Sequence, residues 1–170
     1  MTDKELSFTL KDMAMRAGLC EQWTNDWTGN ENRQQLIEKY LSGIDFSMGS
    51  DWLPKEFIKE HFDKALLNAN GIYVDDFVTV PDMKRVVLLG RCNAELRYNL
   101  MSVGDVYCCD ETELHLYAND ASFVTVEQYG KSLVKGFGRS IHKVVIYRHG
   151  DGEVAMSGNY RVRDKIRNQE

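Results

Sequence analysis

Two close pairs of carboxylates, Asp75–Asp76 and Glu111–Glu113, and four histidines are the side chains best equipped for chemistry. Two carboxyls at a defined separation are what glycoside hydrolysis needs, and repetitive β-folds can carry such sites. Pairs of this kind are more simply read as solvated charges on turns and edges. His61 stands beside Glu60 and near Asp63, an arrangement suited to general acid–base work. Its spacing with Phe57, Ile58 and Phe62 places it on or near a buried helical face instead, as a structural histidine. His115, His142 and His149 have Asp105, Asp110 and Asp120 nearby in sequence, and stacked coils could gather such groups around a metal. Linear spacing defines no ligand set. No catalytic residue, metal or cofactor is therefore expected, and the chain is not read as an enzyme.

The second group of candidates is aromatic. Trp23, Trp27, Tyr40 and Trp52 enrich the N-terminal part and form a candidate binding platform for a sugar or a partner's side chain. On a helix, Trp23 and Trp27 would share a face. The competing reading makes all four the core of a small helical part. Lys131, Lys135, Arg139, Lys143 and Arg148 recur every four or five residues and could line up as a basic strip for phosphates. No recognisable nucleic-acid-binding pattern accompanies them. Cys20, Cys92, Cys108 and Cys109 lack metal-ligand spacing and read as reduced structural thiols. On a strand, Cys108 and Cys109 would point to opposite faces, one inward and one to solvent.

The elements that must position these residues change character near residue 70. Before it, apolar residues recur at helical spacing. Leu10, Met13, Ala14 and Ala17 follow Thr9 as N-cap, and Gly18 closes that helix. Asn30 could cap a second helix, Glu31 to Ser42, that Gly43 ends in the same way. Ile44 to Asp51 reads as a linker. Pro54 then opens a third helix, Lys55 to Leu67. After the Asn70-Gly71 turn, Ile72–Val74, Phe77–Val80 and Arg85–Leu89 are strand-like.

From Cys92 to Arg148 a short pattern recurs: a small or turn residue, alternating apolar residues, then an aromatic. Tyr98, Tyr107, Tyr117, Tyr129, Phe137 and Tyr147 mark six copies, at steps of 9, 10, 12, 8 and 10 residues. Strict alternation means strands with one buried face. Self-similarity at this period means a solenoid, two units per flattened coil and about 4.8 Å between coils. The uneven steps keep an antiparallel β-sandwich or meander as the alternative. The fold expected is α+β, a three-helix part over 1–70 followed by a short repetitive β-solenoid over 71–170. The helices would act as a cap on the first coil, and the charged tail would guard the last edge.

Composition fits one or two compact soluble units, with 43% hydrophobic and 28% charged residues. No apolar run approaches the roughly 18 residues of a membrane span, so no membrane association is expected. Met1-Thr2-Asp3-Lys4-Glu5 lacks a signal-peptide pattern, so a cytoplasmic or virion-associated setting is expected. The net charge of −5 conceals an asymmetry. Residues 1–130 hold 12 Lys+Arg against 22 Asp+Glu, whereas residues 131–170 hold 9 against 4. An acidic body with a basic end favours contact with another copy or an acidic partner.

Three stretches carry a likeness to known proteins. They are Leu10 to Trp27, the helix from Leu36 to Phe46 with its Ser-Gly-Ile-Asp-Phe ending, and Phe57-Ile58-Lys59-Glu60-His61-Phe62 followed by Gly71-Ile72-Tyr73-Val74-Asp75-Asp76. Together they resemble a family of uncharacterised proteins carried by gut bacteria and their prophages. The Ser/Asn-x-Val-x-Val-x-x-Tyr-Gly texture after residue 92 is similar to repeat tails of phage-borne proteins. The resemblance implies a phage or mobile-element setting and no particular activity. The function expected is a non-catalytic structural or protein-interaction role, as a homo-oligomer, with the β-repeats as a rigid surface. The alternatives are a carbohydrate-binding or carbohydrate-cleaving protein using Trp23, Trp27 and Trp52, and a nucleic-acid-associated factor using the basic last third.

Overall fold

A computed structural model describes residues 1–50 and 52–165. The chain divides into two compact units, Met1–Asn70 and Gly71–Glu170. No helix among the described residues is long and apolar enough to cross a membrane.

Among the described residues, the first unit has six helices rather than three: α1 (Asp3–Arg16), α2 (Glu21–Asn25), α3 (Arg33–Ser42), α4 (Ile44–Ser50), α5 (Lys55–His61) and α6 (Lys64–Ala69). Local capping explains each difference. Thr2, not Thr9, caps α1 in a reciprocal box with Glu5, while the Thr9 hydroxyl donates back to the Glu5 carbonyl. Leu6, Leu10 and Ala14 then fall four residues apart on the buried face. Asn32, not Asn30, caps α3 through a box with Gln35. Gly18 does take a left-handed φ of +95°, but Gly43 does not, and the chain runs on into α4 where a linker is expected. The single helix expected from Lys55 to Leu67 breaks at Phe62, where Asp63 accepts a hydrogen bond from the Leu66 amide and starts α6.

The second unit is a parallel β-solenoid. Its strands are β1 (Ile72–Val74), β2 (Phe77–Pro81), β3 (Arg85–Leu89), β4 (Asn93–Tyr98), β5 (Val103–Cys108), β6 (Glu113–Ala118), β7 (Phe123–Gln128), β8 (Leu133–Gly138), β9 (Val144–Arg148), β10 (Glu153–Gly158) and β11 (Tyr160–Asp164). Odd-numbered strands form one sheet in chain order and even-numbered strands the other. The pairings are parallel, which removes the antiparallel alternative. Asn93 pairs with Glu113 and Glu113 with Leu133, a step of 20 residues per coil. A six-residue strand plus a four-residue turn occupies half of that step.

From β3 to β10 the side chains packed between the sheets come from even-numbered positions. Leu96, Val106, Leu116, Val126 and Ile146 are fully buried there. Two glycines match this interior. Tyr98 donates its hydroxyl to the Met83 carbonyl at 2.9 Å, and its ring lies 2.5 Å from where a Gly104 side chain would begin. Gly136, at φ +134°, lies so close to the next coil that a Cβ would meet the Leu116 carbonyl oxygen at 1.9 Å.

The turns hold the stack together. Gly90, Leu100, Asp110, Asp120 and Gly130 all adopt positive φ, at ten-residue intervals. Two positions later come Ser102, Thr112, Ser122 and Ser132. The Ser122 and Ser132 hydroxyls donate back to the Asn119 and Tyr129 carbonyls. Asp110 and Asp120 accept hydrogen bonds from the amides of Gly90 and Leu100, one coil earlier. The Asn119 side chain donates to that of Asn99 at 3.0 Å.

Candidate functional site

The four aromatic candidates of the first unit separate into core and surface. Trp27, Tyr40 and Trp52 are buried. Trp52 packs against Trp27, Tyr40 and Phe46 with ring centroids 6.0–6.1 Å apart. Trp27 shares no helical face with Trp23, because α2 ends at Asn25 and the chain turns inward. Only Trp23, 38% exposed, remains available to a ligand.

Behind Trp23 lies a buried polar network that linear reading assigns to a helix end. The Trp27 indole N–H donates to the Ser7 hydroxyl at 2.9 Å, and Ser7 donates to Glu31 at 2.5 Å. The Glu31 carboxylate also accepts from the amides of Thr28 and Gly29, at 2.7 and 2.9 Å. Burial alone would raise its pKa, but the Ser7 hydroxyl and the Thr28 amide overcome that penalty and hold it at about 2. The sequence signal was there: Thr28 with Glu31 three residues later is the spacing of a capping box. Around this network α2, the 26–32 turn and α3 leave an open depression of about 490 Å³. Trp23, Asp26, Asn30, Gln35, Glu38 and Lys39 are among the residues that line it.

On the solenoid, the carboxylates and histidines are distributed rather than gathered. Asp75 and Asp76 accept from the amides of Arg91 and Phe77 and so shape turns. Glu111 pairs with Arg91, one coil back, at 3.0 Å. Glu113 engages Lys135 and, at 2.9 Å, His115, which lower its pKa. His149 stacks flat on Tyr129 at 4.2 Å and meets Glu127. His142 sits edge-on to Phe123, and in the first unit His61 packs on Phe57. The described residues contain no group of three or more that could hold a metal ion.

The basic residues form no single strip. Lys135 lies on β8 in one sheet, Arg148 ends β9 in the other and pairs with Asp164, and Arg139 lies over the Phe137 ring. None of the four cysteines forms a disulfide. Burial pushes the Cys108 thiol up to about 12. Cys109 is buried as well, although one of the two was expected at the surface; it belongs to the turn after β5.

One surface feature stands apart. Where the even-strand sheet turns into the odd-strand sheet, Leu100, Met101 and Ile141 are 76%, 83% and 75% exposed, and Val103 and Phe123 about half. The stacking places them together. The Ala121 amide donates to Leu100, the Phe123 amide to Ser102 and the Ile141 amide to Asp120, and Val103 pairs with Phe123. Exposed apolar side chains thus recur along this corner in three successive coils, with the exposed Asp120 among them in the middle one. Beside it, the Arg97 guanidinium covers the Tyr117 ring at 4.1 Å, and Tyr117 stacks on Phe137. The strip is hard to read in the chain because Leu100, Met101 and Ile141 lie in turns and Val103 and Phe123 are the first residues of β5 and β7, where side-chain periodicity is weakest. Compared with protein-family models, curated proteins and solved structures, the chain finds no match.

Proposed function

We propose that this protein is a non-catalytic structural component that associates with copies of itself through the apolar corner of its solenoid. The observation that carries this reading is the exposed strip of Leu100, Met101, Val103, Phe123 and Ile141. Clustered exposed apolar side chains on one corner of a fold are often functional. A second copy fits as the occupant. A straight apolar line is self-complementary across a two-fold axis, the usual symmetry of homo-oligomers. The acidic body and basic end of the chain add complementary charge to such a pairing. The solenoid supports the strip rigidly, because each coil rests on its neighbours. The engagement of the carboxylate pairs by turn amides and by Arg91, His115 and Lys135 supports a role without catalysis. A phage or mobile-element setting, expected from the repeat texture after residue 92, is part of this proposal.

Light scattering on the full chain tests the reading. The wild type is expected to form a dimer or larger assembly at micromolar concentration. Met101→Lys together with Ile141→Lys is expected to yield a folded monomer. A wild type that stays monomeric at the highest soluble concentration overturns the proposal.

A further inference from the structure

The depression beside Trp23 belongs to a different unit from the apolar corner and has different chemistry. Its base is fixed. The Lys39 ammonium donates to the Asp26 carbonyl at 3.0 Å, sits 4.0 Å from the Glu31 carboxylate and lies 5.5 Å over the Trp27 ring. Its wall is the exposed indole of Trp23, which packs over Gly43: a Cβ there would be 3.8 Å from Trp23 Cζ3. Its rim offers the carboxylates of Asp26 and Glu38 and the amides of Asn30 and Gln35.

We propose that this depression binds a neutral carbohydrate, one or a few sugar rings, against Trp23. The lining decides among ligand classes. A cation meets the fixed Lys39 ammonium, and an anion meets Asp26, Glu31 and Glu38. An apolar ligand strips water from rim carboxylates and amides without replacing those hydrogen bonds. A sugar presents hydroxyls that both donate and accept, which suits carboxylates and amides on one rim. It also presents a C–H face that packs on an indole. The volume of about 490 Å³ is in the range of small-ligand sites. The orienting groups come from the rim: the Asn30 amide for a donor–acceptor pair, the Gln35 side-chain N–H as a donor while its oxygen holds the Asn32 amide, and Asp26 and Glu38 for hydroxyl protons. Trp23 is the specificity-bearing surface, since Trp27 and Trp52 are buried.

The test is saturation-transfer NMR on the full chain with N-acetylglucosamine, methyl glucoside, methyl galactoside, methyl mannoside and the trisaccharides of glucose and N-acetylglucosamine. At least one sugar is expected to receive saturation at millimolar concentration and to shift tryptophan fluorescence. Trp23→Ala is expected to weaken that binding on the order of tenfold or more, with circular dichroism unchanged. Trp23→Phe, which keeps an aromatic face and the fold, is expected to retain part of it. Absence of transfer from every sugar in the set overturns the proposal, as does binding that survives Trp23→Ala undiminished. The corner of the solenoid is untouched by these variants, so self-association is expected to persist in both.

Discussion

Leu100 donates its backbone N–H to the Asp120 carboxylate one coil on, at 2.8 Å, while holding φ at +54° with its side chain in solvent. Glycine and aspartate occupy the equivalent turn positions at Gly90, Asp110, Asp120 and Gly130. A leucine is the poorest fit to this position on two counts. Left-handed backbone costs an ordinary side chain about 1 kcal/mol, and the exposed apolar surface gains nothing in the isolated molecule. Strain of this kind gathers at functional positions.

The first prediction uses that conflict. Leu100→Asn is expected to raise the thermal stability of the dilute monomer by roughly 0.5–1 kcal/mol, because Asn tolerates positive φ. The same change is expected to weaken self-association. Unfolding curves at low concentration and sedimentation at high concentration measure the two effects separately. A rise in stability with self-association unchanged would mean that Leu100 serves the turn alone.

Gly136 tests the stacking itself. A Cβ there would meet the Leu116 carbonyl oxygen at 1.9 Å, and backbone cannot yield as a flexible side chain does. Gly136→Ala is expected to cost at least about 3 kcal/mol, in the range of severe core overpacking and strained φ. Chemical denaturation provides the measurement. A loss below about 1 kcal/mol would show that adjacent coils sit farther apart than described.

Glu31 gives the first unit an acid sensitivity. Its folded pKa of about 2 lies below the ordinary value of 4.5. The ionised carboxylate therefore contributes stability that is fully present above pH 4.5 and is lost as pH falls toward 2. A shift of that size corresponds to about 3 kcal/mol. Glu31→Gln is expected to lower stability at neutral pH by about 2 kcal/mol and to flatten the dependence between pH 4.5 and 2. Melting of the wild type and the variant across that window checks the sign. A variant that keeps the full acid slope would place the effect elsewhere.

Much of the solenoid is legible in the chain. Alternation in Glu113–Ala118 and Phe123–Gln128 identifies one buried face, and the turns follow at the Asn and Asp residues. Measured from aromatic to aromatic the repeat looks uneven, because Tyr98 belongs to the inward-facing set and Tyr129 falls in the turn after β7, whereas Tyr107 and Tyr147, like Tyr117 and Phe137, stand at equivalent strand positions. Measured from turn to turn it is ten residues, visible in Ser102, Thr112, Ser122 and Ser132. The helical unit is harder to read. Caps compete at short range, so Thr2 outcompetes Thr9 and Asn32 outcompetes Asn30. The Gly- and Ser-containing stretch Ile44–Ser50 folds as a helix although its composition reads as a linker. Propensity is a weak guide in segments this short, where packing decides. Of the aromatic platform, only Trp23 stays at the surface. The Trp23–Trp27 spacing suggested a shared face, but that requires a helix extending beyond Asn25.

The most direct test of the account is a crosslink across the proposed contact. Ile141→Cys, in a Cys20→Ser background, places a single added thiol in the last turn of the strip. Ala155→Cys, on the outer face of β10, serves as the control. With a short bis-maleimide, the account predicts a covalent dimer from the Ile141 site and little from the Ala155 site. Equal yields at both positions, or no dimer at the Ile141 site, would contradict self-association through this corner.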